Sequence, residues 1–248
     1  MSNGANLKPA VVNDTLRSTA MPTDTNSPLV YVSDAPTNSS LSRPLVAGIL
    51  SDFVPGGEND DATVRATENV KQHQSGHTID PDELPSTFYA RYPDKKQGRL
   101  PHLFMANGFW CVSARCAEVL SRFDLGPGGT RPIQAFQHDR TTPIEGQYAV
   151  LNFGAHKTAL VAEASPGARL PMGWEGPMRA LKLNHKDNDI AVSISALDGV
   201  DLWVDPHLDR ALFLSAPLAD ALRKARVATP WGLKACRVVG NADEGAGR

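Results

Sequence analysis

Residues 100–136 read LPHLFMANGFWCVSARCAEVLSRFDLGPGGTRPIQAF, and the fold class rests on how this stretch is read. Residues 109–112 are a short apolar, aromatic-rich run of strand character. Ser113 follows as a good N-cap, and Cys116, Ala117, Leu120 and Phe123 then recur at the three- and four-residue spacing of one buried helical face. Gly126, Pro127, Gly128 and Gly129 cannot continue a helix, so the chain turns before residues 132–136, which read as a second strand. The unit is strand, Ser, helix, turn, strand, a scaffold without reactive groups. Residues 213–222 repeat its logic: Ser215 corresponds to Ser113, Ala219 to Ala117 and Leu222 to Leu120, and residues 234–239 supply the following strand. Pro217 fits because it lies in the first helical turn. The expectation is an α+β fold, a single mixed domain holding two such units packed on one sheet. Chance likeness between two capped helices is the competing reading.

The rest of the chain is read outward from there. Residues 1–60 are rich in Ser, Thr, Asn, Pro and Asp, so residues 1–80 are expected to be a mobile polar N-terminal region and linker, the domain to span 81–240, and 241–248 to be a polar tail. Residues 45–50 are the exception, an apolar run able to pair as an edge strand, and residues 63–73 form a short polar helix through Val64 and Val70. Residues 148–153 read as a strand with 156–161 as its partner, and 165–177 as a loop anchored by Trp174. A strand at 178–184, a turn at Asp187 to Asp189, a strand at 190–194 and a turn at Asp198 and Gly199 complete the pattern.

A chain of 248 residues with 41% apolar content holds enough for a real core, and a net charge of −2 argues against a nucleic-acid partner. No run of about 18 apolar residues and no signal-peptide pattern occurs, so no membrane partner and a cytoplasmic location are expected. Three cysteines without close repeated pairs fit reduced, buried thiols. No G-x-S-x-G surrounds a serine, and the glycines at 126, 128 and 129 follow a helix where a phosphate loop would lead into one. His73 and His77 share a helical spacing but lack further ligands, and Asp187-Asn188-Asp189 suits a turn better than a metal site. No catalytic, cofactor or metal residue is assigned.

Phe109-Trp110-Cys111-Val112-Ser113 with Ala117, Leu120 and Phe123-Asp124-Leu125-Gly126 resembles the core motif of immunity protein family eleven of bacterial polymorphic toxin systems, the myxobacterial-type immunity domain. Further matching pieces follow in order: residues 139–143, 148–152, 189–193, 198–203 and 213–215, so the resemblance spans about residues 85–239. It implies a non-enzymatic protein that binds and neutralises a cognate toxin domain encoded nearby. An enzyme with a loop-assembled site, or an adaptor module, is the alternative. The candidate partner surface is acidic: Asp187, Asp189, Asp198, Asp201, Asp205 and Asp209 lie close together, with Lys186 the neighbouring base. Such a surface suits a basic toxin, and solvated turns are the competing account.

Overall fold

The computed structural model describes residues 29–48 and 61–240. The expectations for residues 1–28, for the 49–60 linker and for the tail lie outside the described residues.

The organising unit forms as its sequence requires. Strand β6 (Phe109–Ser113) leads through Ser113 into helix α2 (Ala114–Leu120), and β7 (Gly129–Phe136) follows the glycine turn. Ser113 Oγ accepts the Cys116 N–H at 3.3 Å, the bond expected of an N-cap. Cys116 and Leu120 are buried, and Ala117 and Phe123 pack partly buried against the same core. The second unit repeats this in β13 (Leu212–Ser215), α3 (Ala216–Lys224) and β14 (Leu233–Ala235), with the Leu218 N–H donating to Ser215 Oγ.

Pairing registers make the two units copies of one design. In the first, β5 (Leu103–Ala106) and β8 (Tyr148–Asn152) both pair antiparallel with β6, and β8 separates β6 from β7. In the second, β12 (Leu202–Val204) and β1 (Val30–Ser33) take those places, giving the order β12-β13-β1-β14. Ser113 faces Tyr148 as Ser215 faces Val30, and Val112 faces Leu103 as Leu214 faces Leu202. The Ala114 N–H donates to the Gln147 carbonyl, and the Ala216 N–H to that of Leu29. The fourth strand of the second copy thus comes from the chain's beginning, as in a circularly permuted repeat.

That strand corrects the expected domain start at 81. Val30, Val32 and Ser33 are buried, because β1 fills the slot between β13 and β14 and satisfies the backbone groups of both. A polar composition around a four-residue strand concealed it. The apolar run also pairs as expected: β3 (Leu45–Ala47) lies beside β4 (Thr87–Ala90), with Leu45 and Ala47 buried. β2 (Ser42–Arg43) closes the other edge of a seven-stranded sheet, β2-β5-β6-β8-β7-β4-β3. The two units therefore sit on two sheets and not on one.

One core lies where both units meet: Leu103, Trp110, Val112 and Leu151 from the large sheet, Leu202, Leu212 and Leu214 from the small, and Leu120, Leu218 and Leu222 from the helices. Alternate residues of β6, Phe109 and Cys111, point into a second cluster on the large sheet's other face, so β6 is buried on both sides. A third cluster joins Val30, Val32, Trp203 and Phe213 to Ile190 and Val192, the latter in β11 (Ala191–Ser193) beside β15 (Arg237–Val239). Helix α1 (Asp61–Gln74) covers part of the large sheet, and among its described side chains Ala66, Asn69 and His73 are buried while Val64 is exposed. Residues 156–161 form only isolated bridges, His156 to Val204 and Leu160 to Val192, because β6 and β7 already occupy both edges of β8.

Two glycine sites fix the turns. Gly128 and Gly154 stack backbone on backbone, so a Cβ on Gly128 would lie 2.3 Å from the Asn152 carbonyl oxygen. Gly232, left-handed at φ 55°, leaves room for the Asp34 carboxylate.

Candidate functional site

The acidic segment is largely consumed by the fold. Asp205 is 1% exposed, and its carboxylate accepts the backbone N–H of Ala159 and Leu160 at 2.7 Å and of His207 at 2.8 Å. It faces no partner, which corrects its place among the expected surface residues. Asp187 accepts the Ala235 N–H and Asp189 the Lys186 N–H, the turn role weighed for this pair. Asp201 takes the Ser215 hydroxyl and the Asp124 N–H. Asp198 is exposed, and Asp209, half-buried, lies 3.7 Å from Arg210.

The exposed apolar residues are elsewhere. Short strands β9 (Ala168–Arg169) and β10 (Ala180–Leu181) pair antiparallel and project a loop whose Met172 is 100% exposed, Leu170 48% and Trp174 44%; Leu183 at its exit is 70% exposed. Trp174 was expected to anchor this loop, but it stands on it. Pro171, Gly173, Gly176 and Pro177 prevent a strand that would fold these side chains inward. Arg169 and Arg179 bracket the loop in the chain, with Lys182 just past β10 and Glu175 within the loop. Sequence reading missed Leu170, Met172 and Leu183; large apolar residues set among Pro and Gly were the available signal.

Ser113 also has a chemical neighbour that sequence spacing did not reveal. His102 Nδ1 lies 2.7 Å from its Oγ, beside a cavity of about 710 Å³. A serine–imidazole contact invites a nucleophile reading, yet Ser215 holds Asp201 in the same way at 2.5 Å, and the Ser113 and Ser215 N–H groups donate to the His102 and Asp201 carbonyls. Each contact is a clamp that fixes the helix cap. Burial lowers the His102 pKa, with Arg115 and Arg99 adding to the effect.

His73 and His77 do not share a helical face, since α1 ends at Gln74. His73 is buried and accepts the Trp110 N–H at 2.8 Å, whereas His77 packs tilted against His156 with centroids 4.7 Å apart. Among the described residues no group of three or more His, Cys, Asp or Glu is placed to hold a metal ion. Cys111, Cys116 and Cys236 are free and buried, and burial pushes the Cys116 thiol up to about 12. Among the described residues no helix is long and apolar enough to cross a membrane.

Compared with known proteins, the chain matches no family model and no curated protein sequence.

Proposed function

We propose that this chain is a cytoplasmic immunity protein that neutralises a cognate antibacterial toxin domain by binding it, without catalysis. The observation that carries the binding reading is the β9–β10 hairpin, whose Leu170, Met172 and Trp174 stand in solvent at the tip of a loop. Trp and Met are enriched at the centres of protein interfaces, and a few such residues supply most of an interface's energy. The flanking Arg169, Arg179 and Lys182 suit a partner whose apolar cleft is rimmed by carboxylates.

The toxin itself enters through the family resemblance. Its quoted residues include Trp110, Val112 and Leu120 in the core and Ser113 at the cap, so the shared pattern is one of scaffold. The acidic surface is the second contact in this reading, without the buried Asp205: Asp187 and Asp198 are exposed, and the exposed Ile194 and Leu197 neighbour Asp198 in the chain.

Co-expression is the test. A toxin domain encoded in the neighbouring reading frame should kill or arrest cells alone and spare them when this chain is co-expressed. Equal toxicity with and without the chain, at matched toxin levels, would refute the proposal.

A further inference from the structure

The two copies of the repeated unit differ in charge at the same place. In the second copy the segment leading into β12 carries Asp198 and Asp201, and Lys157 interacts electrostatically with both. Its Nζ donates to the Ala196 and Val200 carbonyls at 3.1 and 2.8 Å, over the face of Trp203. Burial lowers the Lys157 pKa, while Asp201, Asp198 and Asp124 pull it back up. The carboxylates of the second copy thus have the protein's own ammonium group near enough to interact with them.

Aligned through the registers, Asp201 corresponds to His102, Asp198 to Arg99, and Pro217 of α3 to Arg115 of α2. The first copy therefore gathers Arg99, His102 and Arg115 where the second gathers carboxylates. These three line the cavity of about 710 Å³ with Ser113, Gln147 and Tyr148, and no carboxylate is among its lining residues. Arg99 and Arg115 form no ion pair among the described residues. Among the described residues no group does for this site what Lys157 does for its counterpart.

Ser113 Oγ accepts the Cys116 N–H and keeps a second lone pair and its proton for the 2.7 Å contact with His102 Nδ1, which suits either neutral tautomer. Two guanidiniums and the imidazole line the cavity, a set suited to planar, multidentate capture of an oxyanion. The volume lies in the range of small-molecule sites.

We infer that this cavity is a binding site for a small phosphate-bearing anion, held by Arg99, Arg115 and His102. A phosphate monoester carries about −1.5 to −2 charge near neutral pH, which two guanidiniums balance, whereas a carboxylate leaves one unmatched. The inference stands apart from the toxin reading, since it rests on different residues and needs no partner protein.

The test is an NMR titration of the full chain's imidazole resonances with inorganic phosphate, O-phosphoserine and acetate. His102 signals should shift saturably with the two phosphates, with acetate at least about tenfold weaker, as expected when a dianion is replaced by a monoanion. Arg99→Gln and Arg115→Gln should each weaken phosphate binding about fivefold or more, and Arg122→Gln, on the same chain segment but outside the cavity, should not. Tighter binding of phosphoserine identifies a monoester as the ligand, and equal binding identifies phosphate itself. The unchanged core resonances of each variant report that it is folded. Absence of a saturable His102 shift, acetate binding as tightly as phosphate, or wild-type binding by both arginine variants would overturn the assignment.

Discussion

Acid should destabilise this protein through one imidazole. His73 is enclosed between Phe109 and Phe153, each ring centroid 5.0 Å away, and Nε2 accepts the Trp110 N–H. Burial lowers its pKa from 6.5 to about 3, and protonating Nε2 would also remove the acceptor that Trp110 uses. In the unfolded chain the ring titrates near its ordinary value. Above pH 6.5 both states hold a neutral ring and the full stability is present. Below it the unfolded state takes a proton that the folded state refuses, so stability falls tenfold in the folding equilibrium per pH unit until the folded pKa is reached. By pH 5 the loss from this residue is about 2 kcal/mol. The assay is urea unfolding from pH 7.5 to 5, comparing wild type with His73→Gln, whose amide oxygen retains an acceptor for Trp110. The variant should start less stable but lose about 2 kcal/mol less over this range. Parallel pH profiles for the two proteins would refute the reasoning.

Replacing Gly128 with Ala should lower stability by about 1–3 kcal/mol or more, since its Cβ would strike backbone, while Gly98→Ala, with nothing within 4 Å, should be neutral; thermal melts decide. Asp205→Asn should cost about 1–3 kcal/mol because an amide presents fewer acceptors to the N–H groups of Ala159, Leu160 and His207, whereas Asp209→Asn should change little in the same denaturant titration. Leu120→Ala should cost about 2–5 kcal/mol as a buried cavity and Ser113→Ala only about 1 kcal/mol as a lost cap, and an order reversed in unfolding experiments would contradict the clamp account.

The repeated unit was legible because its signals are local. Ser113 and Ser215 cap through their own side chains, and the spacing of Cys116 and Leu120 declares the buried face within one turn of helix. The strand that completes the second unit was not, because Val30 to Ser33 gain their burial from β13 and β14, nearly the whole chain away. The acidic segment was legible only in part. Asp205 and Asp187 spend their carboxylates on backbone N–H groups as distant as Ala159 and Ala235, which composition cannot display. His102 and Ser113 meet across a β-hairpin, and only pairing β5 with β6 reveals the contact. Exposure of Met172 and Trp174 was equally hidden, since large apolar residues ordinarily mark a core.

Direct titration of the neighbouring reading frame's toxin domain with the purified chain tests the central claim, using wild type and a Met172→Ala/Trp174→Ala double variant. Wild type should bind with submicromolar affinity, and the variant should bind at least about tenfold more weakly at an unchanged melting temperature, the effect expected for exposed hot-spot residues. Failure of the wild type to bind the toxin would contradict the proposed function, and undiminished binding by the double variant would contradict the hairpin as its contact surface.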